Sequence, residues 1–138
     1  MTGNKAMDFT QYFATFLIII FCASSSYAVT YECPVSQKLD NNIGYFSKEK
    51  LEKYKFSIRV TDDSSHATLS RCGFDSGSSK VTCDNYEVDK IVSSLNRDIK
   101  KYYVFSSHFD VQIFSDMQFV ENNGRMTIAF GTCHILNP

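Results

Sequence analysis

The sequence predicts a mainly β fold, in which an antiparallel meander closes as a small barrel or packs as a sandwich, with one short helix near residues 47–54. Three observations support this fold class. Short runs of alternating apolar and polar residues recur along the chain, residues typical of tight turns separate these runs, and β-branched and aromatic side chains dominate them. The chain has 138 residues, which is the length of a single domain.

Residues 1–28 have the features of a secretory signal peptide that is cleaved. Lys5 gives a weakly basic start, and an apolar run follows over residues 13–23. This run is too short to cross the roughly 30 Å hydrocarbon core of a bilayer. Ser26 and Ala28 occupy the two small-residue positions that a signal peptidase requires, so we expect cleavage after Ala28.

Two alternatives concern the same segment. A retained membrane anchor stays open, because Asp8 weakens the basic start. A lipid anchor on Cys22 is disfavoured, since Phe21 stands where lipid-modifying enzymes need a small residue. With cleavage, residues 29–138 form a single disulfide-stabilised β domain, secreted or periplasmic, and no later apolar run is long enough for stable membrane insertion.

Four cysteines remain after cleavage, and an even number in a short exported chain predicts two disulfides. A turn-rich stretch centred between Gly77 and Ser78 predicts a hairpin that places Cys72 directly opposite Cys83. Opposed residues in an antiparallel pair have Cα atoms about 4.5–5.5 Å apart, a separation that a disulfide can bridge.

The remaining cysteines, Cys33 and Cys133, then form the second disulfide, which ties the first strand of the domain to the last. The competing interpretation is a metal site with four cysteine ligands. Such sites usually contain two closely spaced pairs of cysteines, and the spacing in this chain is wide throughout. We therefore expect no metal.

Local patterns predict the other elements of the first half. Residues 31–35 alternate as a short strand, residues 47–54 are a charged stretch with helical propensity, and residues 56–60 alternate strictly as a half-buried strand. Residues 61–65 then break the chain before the disulfide-linked hairpin.

Residues 86–106 allow two interpretations. Four apolar residues from Val88 to Ile99 are spaced for one face of a helix. We favour two strands joined by a loop at residues 93–98, because β-branched and aromatic residues dominate both flanks.

The last third contains a strong turn signal, because both Asn123 and Gly124 tolerate positive φ. A two-residue turn at this point sets a register that puts four apolar side chains on one face of the hairpin. The opposed pairs are Phe119 with Ile128 and Met117 with Phe130.

Composition and motifs argue against several classes of function. Lys and Arg total 14 and Asp and Glu total 15, so the net charge is −1 and nothing favours a nucleic-acid partner. The sequence contains no phosphate-cradling glycine loop and no GxSxG, HExxH or CxxC motif. We therefore expect no cofactor and no enzyme activity.

Two patterns offer weak catalytic alternatives. His108 and Asp110 would share one face of a strand, which supports a small secreted hydrolase that uses His108. Asp116 and Glu121 lie five apart on one predicted strand and point to opposite faces, so they cannot pair for acid–base catalysis. We expect both carboxylates to be solvated rim charges.

The candidate binding residues lie at a polar hairpin tip and in a tyrosine pair. Asn122, Asn123 and Arg125 belong to a protruding tip that can insert into the cleft of a partner. Tyr102 and Tyr103 point to opposite faces of a strand, so one of them is exposed as a contact beside two lysines.

These patterns favour a small, exported, non-enzymatic β-domain that binds or inhibits an extracellular or envelope protein. The alternative to the protein-binding role is a small carrier of apolar ligands, whose barrel interior is lined by phenylalanine and tyrosine.

Overall fold

The computed structural model describes residues 27–94, 96 and 98–136. The predicted signal peptide lies outside the described residues, apart from its last two, and stays a prediction. Within the described part, no helix is long and apolar enough to cross a membrane. The elements in chain order are β1 (Val29–Asp40), β2 (Gly44–Tyr45), α1 (Lys48–Tyr54), β3 (Ser57–Asp62), β4 (Ala67–Asp75), β5 (Lys80–Glu87), β6 (Lys90–Ser94), β7 (Ile99–Val104), β8 (Phe109–Ile113), β9 (Gln118–Asn122), β10 (Thr127–Thr132) and β11 (His134–Leu136).

The strands form one antiparallel sheet that curls into a half-barrel, which confirms the predicted mainly β fold. The main path runs in the order β5-β4-β3-β1-β10-β9-β8-β7-β6, and the short strands β2 and β11 also pair with β1. The strands β3 to β5 form one meander and the strands β6 to β10 form another. We call the first meander the first arm of the sheet and the second meander the second arm.

Strand β1 belongs to both arms. It pairs with β3 as far as Pro34 and with β10 from Val35 onward. The register with β10 shifts between Val35 and Gln37, and such a bulge bends a strand. Gly131 of β10 lies against this bend, and a Cβ atom there would clash with the carbonyl oxygen of Pro34. Glycine therefore allows the close approach that the bend requires.

The two arms meet again where β5 continues into β6, with only Val88 and Asp89 between the two strands. Val88 N–H donates to the carbonyl of Ala67 in β4 at 3.0 Å, and Asp89 N–H donates to the carbonyl of Tyr103 in β7 at 2.9 Å. The chain thus passes from the outer strand of the first arm to the outer strand of the second.

The core fills the inside of the curl. Directly paired residues share a face of the sheet, and the register turns the buried residues of both arms inward. The rings of Tyr86 in β5 and Phe109 in β8 meet edge to face across the curl at 4.9 Å. Each large apolar side chain buried in this way contributes about 1.5–3 kcal/mol to folding. The largest fully buried side chains are Tyr102, Phe119, Leu69, Val60, Val104 and Val111.

Both predicted disulfides are present. Cys72 and Cys83 are directly opposed in the β4–β5 hairpin, as the position of the turn predicted. Cys33 bonds to Cys133, which lies between β10 and β11, and both of these residues are buried in the core. The two disulfides indicate an oxidising environment outside the cytosol.

Two local predictions are also confirmed. The predicted helix is α1, in which the Ser47 hydroxyl accepts a hydrogen bond from Lys50 N–H at 3.3 Å and thereby caps the start. At the end of α1, Lys55 adopts a left-handed conformation and its N–H donates to the carbonyl of Leu51. Residues 86–106 contain the strands β6 and β7, so the prediction of two strands is confirmed and the alternative of a helix is wrong.

The predicted register of the last hairpin is wrong. Ile128 pairs with Asn122 and not with Phe119. The connection is a loop longer than two residues, closed by a hydrogen bond from Asn123 N–H to the carbonyl of Thr127 at 3.0 Å. Because the register differs by an odd number of residues, Phe119 points into the core while Ile128 lies on the outer face. Met117 and Phe130, the second predicted pair, are not opposed either, because Phe130 pairs with Val120.

The two disulfides should contribute unequally to stability. In the chain-entropy model, a loop with a separation of 100 residues is worth roughly 4.7 kcal/mol and one of 11 residues somewhat less than about 3 kcal/mol. The C33S/C133S variant should therefore lose more free energy of unfolding in urea denaturation than the C72S/C83S variant. An equal or smaller loss for C33S/C133S would contradict the loop-length account.

Candidate functional site

The predicted binding tip forms the loop between β9 and β10, and its asparagines are engaged with the loop itself. Asn122 Oδ1 accepts a hydrogen bond from Gly124 N–H at 3.1 Å. Asn123 Oδ1 accepts from Arg125 N–H at 2.8 Å and from Thr127 N–H at 3.1 Å. Both asparagines therefore shape the turn in the manner typical of this residue type. The side chain of Arg125 is exposed and makes no ion pair with the described residues.

This loop does not protrude alone, because it packs between two neighbouring loops. Gly124 lies so close to the backbone of His108 that a Cβ atom at position 124 would clash with the His108 carbonyl. On the other side, Asn41 N–H donates to the carbonyl of Met126 at 3.0 Å. We call these three loops, residues 41–43, 105–108 and 123–126, the loop rim.

The loop rim carries large apolar side chains in contact with solvent. Ile43, Phe105 and Met126 are 61 %, 57 % and 71 % exposed, and Tyr45, just after the first loop, is 68 % exposed. Exposed apolar side chains that cluster, unlike those that are scattered singly, mark interaction sites. The loop rim is therefore the first candidate functional surface.

The two candidate tyrosines separate as the strand alternation predicts. Tyr102 is fully buried and its hydroxyl donates to Asp62 at 2.8 Å, so it is a core residue and not a surface contact. The ring of Tyr103 lies 6.1 Å from that of Phe105, with Lys101 Nζ 4.9 Å from its centroid. Tyr103 thus adjoins the loop rim, and Tyr102 is removed from the candidate contacts.

The geometry does not bring together the predicted catalytic pair at His108. This residue lies in the turn before β8 with a φ of 56°, so it does not share a strand face with Asp110. The Asp110 carboxylate instead pairs with Lys101 at 3.2 Å.

The prediction of a solvated rim charge at Glu121 is wrong. Its side chain is 3 % exposed, and Oε1 lies 2.6 Å from Nε of Arg71, which reaches across the curl from β4. Oε1 receives no well-aligned hydrogen bond from the described residues. Burial raises the pKa of Glu121, and the positive charges of Arg71 and Lys38 offset that effect only in part. Asp116, the other predicted rim charge, is exposed in the turn before β9.

A second ionic bridge crosses the curl at Asp62, which is 3 % exposed at the end of β3. Its Oδ2 atom accepts hydrogen bonds from Lys100 Nζ at 2.9 Å and from the Tyr102 hydroxyl at 2.8 Å, both in β7. Its Oδ1 atom accepts from Ser64 N–H at 2.7 Å. Burial alone would raise the pKa of Asp62, but these hydrogen bonds together hold it below its ordinary value.

Sequence reasoning missed the inward-facing charges. Arg71 follows Ala67 and Leu69 at intervals of two, so strand alternation places it in phase with buried residues. Glu121 is in phase with Phe119 in the same way. A charge in phase with the core was the available signal, because such a residue needs an opposite charge from another strand.

No protein family model, curated protein or solved structure matches this chain. Within the described ranges, no group of three or more His, Cys, Asp or Glu side chains is placed to hold a metal ion. The loop rim and the inner charges are thus the features that bear on function.

Gly124→Ala should destabilise the protein more than Gly44→Ala. Both glycines have positive φ, 65° and 76°, so each alanine costs roughly 1–2 kcal/mol of backbone strain. Only at position 124 does the new methyl group also meet the His108 backbone, because the space beside Gly44 is open. Urea denaturation measures both losses, and equal losses would mean that the loops of the rim are not packed together.

In the Asp62→Asn variant, the free energy of unfolding should depend less steeply on pH in the acid range. The folded-state pKa of Asp62 lies below its ordinary value of 3.8, so its stabilising contribution is present above that value and is lost as the pH falls through the folded-state pKa. Between about pH 5 and pH 2, urea denaturation should show a steeper fall for the wild type than for the variant. Asp84→Asn, which changes an exposed carboxylate, serves as the control. If the free energy of unfolding of Asp62→Asn falls with pH as steeply as that of the wild type, Asp62 does not stabilise the fold in this way.

Proposed function

We propose that this protein is a small exported domain that binds another protein through the loop rim, after the apolar run at residues 13–23 has directed its export. The single observation that carries the proposal is the cluster of exposed Ile43, Phe105 and Met126 on three loops that hold one another in place. Burying such side chains against a partner removes apolar surface from water, which is the main driving force of protein association.

The preorganised backbone of the loop rim supports a binding role. Asp40 Oδ1 accepts a hydrogen bond from Asn42 N–H at 2.9 Å in the first loop, and Asp89 accepts from Phe105 N–H at 2.6 Å in the second. The oxygen of Asn123 holds the third loop. A surface that is ordered before binding loses less conformational entropy when the complex forms.

The chemistry of the loop rim fits a protein partner that presents an apolar patch beside a carboxylate. Aromatic, methionine and arginine side chains are enriched at the centres of protein interfaces. Phe105, Met126 and the adjoining Tyr103 supply the apolar contact. Arg125, next to Met126, supplies a positive charge that is available to a carboxylate of the partner.

The two alternative functions are less well supported than binding through the loop rim. The centre of the curl, where a carrier of apolar ligands would need a cavity, is occupied in the described chain by buried side chains such as Tyr102 and Phe119. A hydrolase that uses His108 would need an orienting carboxylate, and Asp110 is paired with Lys101.

The triple variant I43S/F105S/M126S tests the proposal. The oxidised protein, produced with its own leader, is used to capture partners from extracellular and envelope fractions, and each captured protein is then purified for calorimetry. If each lost apolar contact costs about 1 kcal/mol or more, the triple variant should bind at least about a hundredfold more weakly.

The matched control is V81S/V92S/I135S, which removes three exposed apolar side chains that lie on strands away from the loop rim. Its affinity should equal that of the wild type. If the rim variant binds the purified partner as tightly as the wild type, or if the control loses affinity equally, the loop rim is not the binding surface.

A further inference from the structure

A second cleft, separate from the loop rim, lies between the two arms of the half-barrel and has a volume of about 440 Å³. We call it the charged cleft. Its charged lining consists of Lys38 from β1, Arg71 and Asp75 from β4, Asp84 from β5 and Glu121 from β9, and Phe56 forms an apolar wall. This volume is in the range of sites that hold small molecules.

The register explains why there is room between the charges. Lys38 pairs with Ala129, and Ala129 pairs with Glu121, so the two charged side chains share the inner face on either side of Ala129. Strands two apart in a sheet are separated by roughly 10 Å, and only one methyl group occupies the position between them. On the first arm, Gly73 lines the same cleft without a side chain.

The charged cleft contains hydrogen-bond donors that no side chain of the described residues engages. Lys38 is half-buried, with Nζ 4.0 Å from the centroid of the Phe56 ring, and this Nζ makes no hydrogen bond or ion pair with the described residues. Arg71 uses only Nε toward Glu121, which leaves both terminal amino groups of its guanidinium without an acceptor in the described chain. These partly exposed donors are available to a ligand that brings acceptor oxygens into the cleft.

The balance of charge narrows the class of ligand. Arg71 and Glu121 neutralise each other at 2.6 Å, which leaves Lys38 as the uncompensated charge among these three, while Asp75 and Asp84 also line the cleft. Burial, the largest influence, and the nearby Arg71 and Lys50 lower the pKa of Lys38, whereas Glu121 and Asp40 raise it. Asp84 is exposed at the cleft and is screened by water, and Asp75 is held by the N–H groups of its own turn.

We infer that the charged cleft binds a small monoanionic organic acid, whose carboxylate contacts Lys38 Nζ and the free amino groups of Arg71 while its apolar body lies on Phe56. A dianion such as phosphate is disfavoured, because the buried Glu121 carboxylate repels the additional negative charge. A neutral ligand is disfavoured because it makes no ion pair with Lys38.

Benzoate is the test probe, with benzyl alcohol as the neutral analogue of the same shape and phosphate as the dianion. Binding to the full oxidised chain is followed by nuclear magnetic resonance of the backbone and of Arg71 Nε–H. Lys38→Met should weaken benzoate binding by at least about tenfold, because the charge is lost while the length of the side chain is kept. Lys38→Arg should retain binding.

The matched control is Lys90→Met, which removes the same charge from the exposed strand β6 and should leave the affinity for benzoate unchanged. Thermal unfolding confirms that each variant is folded. The proposal is overturned if benzoate does not shift the resonances of the cleft, if benzyl alcohol or phosphate binds as tightly as benzoate, or if Lys38→Met binds benzoate like the wild type. None of these outcomes affects the loop rim, because the two sites share no residues.

Discussion

The bend of β1 is the constraint on which the rest of the structure depends. Before the bulge at Val35 the strand belongs to the first arm, and after it the strand belongs to the second, so the arms face each other instead of lying in one plane. Cys33 lies just before the bulge and is bonded to Cys133, while Gly131 allows the neighbouring strand to approach the bend. The Cys33–Cys133 disulfide and the absence of a side chain at Gly131 thus both act at the bend of β1.

Because the arms face each other, charges from distant parts of the chain meet inside the curl. Arg71 with Glu121 and Lys100 with Asp62 each join strands that are not neighbours in the sheet. The carboxylate of each pair is buried while its cation is partly exposed, so loss of the cation leaves a buried negative charge uncompensated, which is destabilising. These pairs therefore act chiefly on specificity, since another alignment of the arms would leave a charge buried alone.

Local features of this fold could be predicted from the sequence, and features that depend on contacts between distant segments could not. The turn around Gly77 placed Cys72 opposite Cys83, and the charged stretch at residues 47–54 predicted the short helix. The register after Asn123 failed because that side chain closes a longer loop than the Asn-Gly signal implies. The burial of Glu121 was missed because its partner lies on a strand of the other arm.

The candidate sites follow the same rule. Strand alternation was enough to say that only one of Tyr102 and Tyr103 faces solvent, but not which surface the exposed one joins. The loop rim depends on three turns that are far apart in sequence and adjacent in space, and the pairing of strands that unites them has no signature in any single segment. Arg125 was found because it lies beside a recognisable turn, whereas Phe105 and Ile43 carry no comparable local mark.

The short passage at Val88 and Asp89 has a consequence for how the molecule comes apart. The chain crosses between the arms there, and it crosses again within β1 on the opposite side of the curl. Detaching either meander breaks its backbone hydrogen bonds to β1 and opens the core that both arms share, so we expect neither half to melt first. Heat or denaturant should dissolve the whole sheet in one cooperative transition, with no stable fragment left for a protease to release.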